Sequence, residues 1–279
     1  MHFNDILIYR IYFISLSYVP KSSNLYFIYR RQYYKVFVLL KDTIYCITAI
    51  TLEVFLNTVT GLQSFKICTI YLILVPTLAT LTRGMQGLSM RRLLLFHNFC
   101  CSFLSIYTAA SSFYGIYQQK SIFSLKPVDS LRSSFYFYWL SKNIELLDTL
   151  FIILRRKTRQ LSFLHVYHHS SMVVFSEFAY RYCPYPAIAM PLGINSVVHI
   201  FLYYYYGMCS FDPKNPPRWK KRLTQLQIVQ FIIGLMHTLF GYLYYGFCIY
   251  GNIYGLTMLW LFSSFYYNSF IAKKRAKRE

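Results

Sequence analysis

The composition of the chain is typical of an integral membrane protein. Of its 279 residues, 56% are hydrophobic and only 14% are charged, whereas soluble domains carry about a quarter charged residues. A soluble fold of this size would need more polar surface than the chain offers. The net charge of +20 would also suit nucleic acid, but the Lys and Arg residues lie between apolar segments. That distribution favours membrane topology over nucleic-acid binding.

The first 64 residues differ from the rest of the chain. An apolar run at 36–62 is interrupted by Lys41, Asp42 and Glu53. It therefore fits either an amphipathic surface segment or an additional span. We expect residues 1–64 to be an N-terminal segment that is amphipathic or partly associated with the membrane.

Seven apolar stretches follow this segment, each close to the roughly 20 helical residues that cross a bilayer. They predict an all-α domain of seven transmembrane helices over residues 65–272. A basic tail at 273–279 ends the chain. The predicted spans are 65–82, 93–117, 134–154, 161–182, 187–207, 226–247 and 253–271.

Charged residues in the connections predict how the spans are oriented. The first, third and fifth connections and the tail are strongly basic, and the others carry fewer Lys and Arg residues. Because Lys and Arg collect on the cytoplasmic side of a membrane, this alternation predicts a multi-pass protein with a cytosolic C-terminus.

Polar residues inside the apolar spans are functional candidates, because ionisable groups are costly in hydrocarbon. Residues three and four apart share one face of a helix, and several spans carry such a polar stripe. We expect the stripes to meet in one interior chamber that opens to the cytosol. They comprise Lys142, Glu145, Asp148 and Thr149; His165, His168 and His169; Asn195, His199, Tyr203 and Tyr206; and Thr224, Gln227 and Gln230.

The histidine patch allows more than one chemistry. Together with His199 it could bind a divalent metal, as in membrane desaturases and hydroxylases, but those enzymes typically use more histidines than this chain has. We expect no metal, and His2, His97 and His237 look isolated. The seven cysteines form no CxxC pair, and neither a G-x-S-x-G elbow nor a nearby cysteine accompanies the patch. Histidine is therefore the nucleophile type available for acyl transfer.

Two other interpretations do not require catalysis by the histidines. They could simply join helices through hydrogen bonds, which is common for a single histidine. A seven-helix receptor or transporter would also have polar residues inside its spans. Against that interpretation, the stripes converge toward the cytosolic side.

The stripes resemble the motifs of the ELO family of fatty-acid elongases. The K-x-x-E-x-x-D-T motif matches residues 142–149, and H-x-x-H-H matches residues 165–169. N-x-x-x-H-x-x-M-Y-x-Y-Y matches 195–206 with Leu202 in place of Met, and T-x-x-Q-x-x-Q matches 224–230. The resemblance covers residues 65–279. It implies a seven-helix protein of the endoplasmic reticulum membrane, with six helices around a substrate tunnel.

The resemblance also implies a reaction, the condensation of a long-chain acyl-CoA with malonyl-CoA. His168 would take the acyl group as an acyl-imidazole. His165, His169 and His199 would be further catalytic residues, and Asn195 could donate to an oxyanion. Glu145 and Asp148 would either orient histidines or form an ion pair with Lys142. Thr149, Tyr203, Tyr206, Gln227 and Gln230 would have supporting roles.

The remaining expectations concern ligands and partners. Positive-inside topology alone could explain the basic loops, but Arg155, Lys157, Lys220 and Arg222 could also bind the phosphates of CoA. We expect no cofactor besides the two CoA substrates and no nucleic acid. Membrane lipid, a second copy of the chain and other enzymes of the elongation cycle are the expected partners.

Overall fold

The computed structural model describes residues 52–272, and side chains from residue 57 onward. That part of the chain is all-helical and contains no strand, as the sequence predicts. The helices are α1 (Leu52–Gly61), α2 (Gln63–Leu81), α3 (Arg91–Gln119), α4 (Asp129–Glu145), α5 (Leu147–Leu154), α6 (Phe163–Tyr182), α7 (Pro186–Phe211), α8 (Lys220–Tyr245) and α9 (Tyr250–Tyr266). A 3₁₀ turn at Thr158–Gln160 precedes α6, and a π-helix at Tyr267–Ala272 follows α9. Most of the predicted N-terminal segment and the basic tail lie outside the described residues.

Four helices, α2, α3, α7 and α8, are long and apolar enough to cross a membrane. They coincide with four of the predicted spans, so the protein is a multi-pass membrane protein by these criteria. The other predicted spans fall on α4 and α5, on α6, and on α9 with its π-helix. The count of seven transmembrane helices and the tunnel stay predictions.

The third predicted span, 134–154, is two helices and not one. Helix α4 ends at Glu145 and α5 begins at Leu147. Around the junction the backbone makes tighter bonds of the i to i+3 type, from Leu146 N–H to Asn143 and from Thr149 N–H to Leu146, both 3.2 Å. Short 3₁₀ geometry inside a helix often marks a functional position. Here it divides the K-x-x-E-x-x-D-T motif between two helices.

Helices α3 and α7 form the most extensive interhelical contact. Small side chains let their backbones approach closely, as is usual for helices packed in membranes. Ser102 donates to the backbone carbonyl of Ile200 at 3.2 Å, and Thr108 donates to Ser196 at 3.0 Å. This contact brings His97 of α3 and His199 of α7 into the same interior.

A second contact anchors the motif residues of α5. Ile153 packs with Tyr71 and Val75 of α2 in a buried apolar cluster, which Val166 of α6 also touches. Helices α2, α5 and α6 are thereby held together next to the histidine patch.

Much of the apolar surface is open in the isolated chain. Along α8, for example, Ile232, Met236, Leu239 and Leu243 are exposed. Contiguous exposed apolar surface of this kind marks contact with a membrane or a partner protein. We attribute it to lipid, in agreement with the helix lengths.

Candidate active site

The three histidines of the H-x-x-H-H motif lie on one face of α6, as their spacing predicts. Ser162 caps the helix by accepting a hydrogen bond from the His165 N–H at 3.2 Å. The ring centroids of His165 and His169 are 4.3 Å apart, and those of His168 and His169 are 5.7 Å apart. All three side chains are partly buried.

Lys142, Glu145 and His199 form a buried cluster beside this face. Lys142 Nζ donates to both oxygens of Glu145, at 2.8 and 3.1 Å. His199 Nδ1 lies 3.3 Å from Glu145 Oε1 and 3.1 Å from Lys142 Nζ. Residue exposure is 3%, 1% and 4% for the three. The carboxylate of Glu145 is therefore paired with Lys142, and His199 Nδ1 lies against this buried ion pair.

Asp148 belongs to a different cluster. Its Oδ1 atom lies 2.9 Å from His97 Nε2, and its Oδ2 atom accepts from the Tyr203 hydroxyl at 2.7 Å. The expectation that His97 is isolated is wrong. The rule that selected the other histidines, an ionisable group inside an apolar span, would also have selected His97. The motif pattern does not indicate His97, because no His, Lys, Asp or Glu lies three or four residues from it.

Thr149 connects the histidine patch to α2. Its hydroxyl is 2.8 Å from His165 Nε2 and 2.8 Å from the Tyr71 hydroxyl. Tyr71 is a further site residue that the sequence did not indicate, since tyrosines are abundant along the whole chain.

Asn195 belongs to another hydrogen-bonded group, separate from the clusters of Glu145 and Asp148. Its side-chain oxygen accepts from the Tyr138 hydroxyl at 2.8 Å, and its amide nitrogen is 3.4 Å from Gln230 Oε1. Tyr138 is another residue that sequence reasoning missed. The Gln230 contact is long, so the amide N–H groups of Asn195 are only weakly engaged.

The other predicted site residues lie at the margin of these groups. Tyr206 is 41% exposed, and its ring packs edge-on against Tyr203 with centroids 6.2 Å apart. The neighbouring Tyr205 is buried, and its ring packs edge-on against Trp219, just before α8. Gln227 is partly buried, and no hydrogen bond joins it to the other described site residues.

His168 differs from His165 and His199 in its surroundings. Its Nδ1 atom is buried and has no hydrogen-bond partner among the described residues. The ring packs edge-on against Phe262 of α9, with centroids 5.9 Å apart. Phe262 belongs to a buried cluster with Met258 and Leu261, which forms an apolar wall that the sequence motifs did not reveal.

Comparison with known proteins identifies the family. The model of the ELO family, described as GNS1/SUR4, matches residues 58–278. The chain belongs to the ELO family. The match starts slightly earlier than residue 65, where the motif resemblance was expected to begin.

Several curated relatives of this ELO protein are similar over most of their length. "Very long chain fatty acid elongase 2" of Rattus norvegicus is 33% identical over 231 residues, which cover 78% of this chain and 82% of the relative. "Very long chain fatty acid elongase 4" and "Very long chain fatty acid elongase 5" of Homo sapiens are each 29% identical over 231 residues. The aligned residues cover 77% and 78% of this chain, and 73% and 77% of those relatives.

The basic side chains of this ELO protein differ in whether they donate hydrogen bonds to other residues. Arg91 donates to the backbone carbonyls of Ser210, at 3.1 Å, and of Phe211, at the end of α7. Arg156 donates to Thr82 at 3.1 Å. The predicted CoA-binding cations are less engaged, since none donates a side-chain hydrogen bond to another described residue. Arg155 is partly buried, and Lys157, Lys220 and Arg222 are exposed.

Metal binding was the alternative for the histidine patch. Within residues 52–272, no three His, Cys, Asp or Glu side chains are grouped as a metal site requires. One ring nitrogen of His165 and one of His199 are in hydrogen bonds to other side chains.

Proposed function

We propose that this protein is a fatty-acid elongase of the membrane, an acyltransferase that joins a long-chain acyl-CoA to malonyl-CoA. The products would be 3-oxoacyl-CoA, CO2 and CoA. Three observations support this proposal. The chain belongs to the ELO family, its relatives are named as very long chain fatty acid elongases, and the motif residues converge.

The state of His168 is the observation that carries the proposed first step. His165 and His199 each have a ring nitrogen bonded to a side chain, whereas Nδ1 of His168 is buried and has no hydrogen-bond partner among the described residues. Nδ1 of His237 also lacks such a partner, but its Nε2 is bonded to the Ala187 carbonyl. A buried polar atom left unsatisfied calls for an explanation, and a catalytic role is one. We assign attack on the thioester to Nε2, the other nitrogen of the partly exposed ring. The C–S bond breaks, an N–C bond forms, and the imidazole proton leaves with the CoA thiol.

The second step uses malonyl-CoA. Its C–C bond to the carboxylate breaks, CO2 leaves, and the resulting enolate attacks the acyl carbon bound to His168. The N–C bond then breaks, and the imidazole regains a proton from solvent. Asn195 is suited to stabilise an oxyanion, since its amide is only weakly engaged. His199, held by Glu145 and Lys142, and His165, held by Thr149, would position or activate the enolate. His169 lies on the same face of α6 as His165 and His168.

The cations near the end of α5 and the start of α8 would bind the substrates. Arg155, Lys157, Lys220 and Arg222 suit the phosphates of CoA because their side chains are not committed to other described residues. Their position at helix ends and in connections that we assign to the cytosol agrees with a chamber that opens to that side. We assign the protein to the endoplasmic reticulum membrane, without a cofactor. A homodimer and contacts with other enzymes of the elongation cycle are part of the proposal.

Purified protein in detergent or nanodiscs would be given acyl-CoAs of graded length and labelled malonyl-CoA. We expect labelled 3-oxoacyl-CoA for a subset of lengths. With acyl-CoA alone, mass spectrometry should find the acyl group on the peptide that contains His168. The His168→Ala variant should lose both results, while His237→Gln, which alters a buried histidine bonded to the carbonyl of Ala187, should retain them.

The outcomes separate the parts of the proposal. No labelled product at any chain length would contradict the elongase function. Full activity of His168→Ala would contradict only the assignment of the nucleophile. Stoichiometric iron together with a desaturated or hydroxylated product would support the metal-dependent alternative instead.

A further inference from the structure

The carboxylate of Asp148 is held between two donors on two other helices. His97 of α3 lies 2.9 Å from Oδ1, and the Tyr203 hydroxyl of α7 lies 2.7 Å from Oδ2. The side chains of His97 and Asp148 are 5% and 17% exposed, and Tyr203 is 1% exposed. Each oxygen of Asp148 therefore has its own partner in a largely dry environment.

The two motif carboxylates have different partners. Glu145 pairs with Lys142 at 2.8 Å. Among the described residues, Asp148 has no Lys or Arg within ion-pair distance, and His97 is its basic neighbour. A buried carboxylate is costly unless it is paired or hydrogen-bonded. His97 thus supplies a hydrogen bond to Asp148, where Lys142 supplies a cation to Glu145.

The ring of His97 is itself held in place. Phe151 packs edge-on against it with centroids 5.0 Å apart, and Tyr203 does so at 6.2 Å. Cys101 Sγ lies 3.7 Å from Nε2, one turn along α3. A donor fixed in this way can hold Asp148 in one orientation.

The arrangement continues toward the histidines of the site. The ring of Tyr203 lies 5.7 Å from the ring of His199, centroid to centroid. His199 is the histidine that Glu145 and Lys142 hold from the other side. One tyrosine thus contacts both Asp148, through its hydroxyl, and His199, through its ring.

We propose that His97 is a positioning residue of the condensation. By donating from Nε2 it fixes Asp148, which in turn fixes Tyr203 against His199. This inference rests on the proposed elongase function. His97 acts through other residues and makes no contact with substrate in this scheme.

Two amide variants test the position of the donor. In His97→Gln the side-chain amide nitrogen can occupy the position of the His97 Nε2 atom. In His97→Asn the amide nitrogen lies near the position of Nδ1 and cannot reach Asp148. Both side chains are polar and neutral, so a general loss of folding would affect them alike. We expect Gln to keep kcat within about threefold of wild type and Asn to lower it by about 10- to 100-fold, since a hydrogen bond to a charged group is lost. The KM values for both CoA substrates should change by less than about threefold.

A third variant tests the connection to Tyr203. If His97 and Tyr203 act through the same carboxylate, His97→Asn should lower kcat little further in a Tyr203→Phe background. His237→Gln serves again as the control for substitution of a buried histidine, and it should keep wild-type kcat. Equal kcat values for the Gln and Asn variants would overturn the inference while leaving the elongase function intact. Fully additive losses with Tyr203→Phe would also overturn it. A wild-type protein without product would overturn both.

Discussion

The Nζ atom of Lys142 lies 3.1 Å from Nδ1 of His199, although 57 residues separate them in the sequence. Lys142 also donates to both oxygens of Glu145, so a single ammonium joins α4 to α7. Both members of the ion pair are nearly inaccessible, at 3% and 2% side-chain exposure. This pair is therefore expected to affect stability as well as activity.

Replacing Lys142 with Met should strongly destabilise the protein. The substitution leaves Glu145 buried without its cation, and breaking one side of a buried ion pair costs about 3–5 kcal/mol. The measurement is the thermal unfolding midpoint in detergent. The double variant Lys142→Met, Glu145→Leu should regain part of the loss, because no uncompensated charge stays buried.

The matched control for this prediction is Arg132→Met. Arg132 pairs with Asp129, also three residues away, but both side chains are largely exposed. Exposed pairs contribute little to stability, so the midpoint should hardly move. Equal midpoints for Lys142→Met and Arg132→Met would show that the buried pair is not important for the fold.

Replacing Thr149 with Val should affect both α2 and the histidine patch. Valine keeps the shape of threonine but strands the Tyr71 hydroxyl and His165 Nε2, which both lie 2.8 Å from the Thr149 hydroxyl. Each stranded partner costs about 1–3 kcal/mol. Thr149→Ser keeps the hydroxyl and should preserve stability and kcat far better. Indistinguishable Val and Ser variants, in unfolding and in turnover, would contradict the role given to the hydroxyl.

Gly87 should matter for binding of CoA substrates. A Cβ atom at this position would lie 2.9 Å from the backbone oxygen of Arg155, and Leu88 N–H donates to the carbonyl of Leu154 in the same contact, at 3.0 Å. Gly87→Ala therefore has to displace the backbone that carries Arg155. We expect KM for acyl-CoA to rise by about 3- to 10-fold, with a smaller change in kcat.

Gly234→Ala is the control for the Gly87 variant. Apart from the adjacent backbone of α8 itself, no described residue lies within 4 Å of a Cβ at this position. An alanine in a helix interior is about 0.5–1 kcal/mol better than glycine, so stability should hold or rise slightly and KM should not change. If the KM of Gly87→Ala equalled that of the wild-type protein, this loop would not contribute to substrate binding.

Glu177 should be important for stability and not for chemistry. Its carboxylate accepts from the backbone N–H groups of Gln63, at 3.3 Å, and Ser64, at 2.6 Å, at the start of α2. A carboxylate there also interacts favourably with the helix dipole. Glu177→Gln should lower the free energy of unfolding by about 1–3 kcal/mol, while the specific activity of the folded protein stays at the wild-type level. Loss of kcat without a lower unfolding midpoint would contradict this assignment.

The helical class and the motif faces were predictable because they depend on local spacing. His165, His168 and His169 share a face of α6 at any packing of that helix, and Lys142 and Glu145 pair within one turn of α4. The break at Leu146 was not predictable, since neither Gly nor Pro, the usual helix breakers, lies in the predicted span 134–154. Asp148 lies beyond that break and contacts His97 and Tyr203, not the cluster of Glu145.

The sequence by itself determined which segments are helical, that they suit a membrane, and which polar residues share a face within one unbroken helix. Only the tertiary structure decided which faces meet: Lys142 with His199, Asp148 with His97, Thr149 with Tyr71, and Asn195 with Tyr138. The physical reason is that a helix face is set by bonds between near neighbours, whereas a partner across helices is set by packing. In a dry interior most polar groups require a partner, but several side chains of the right type compete for each one.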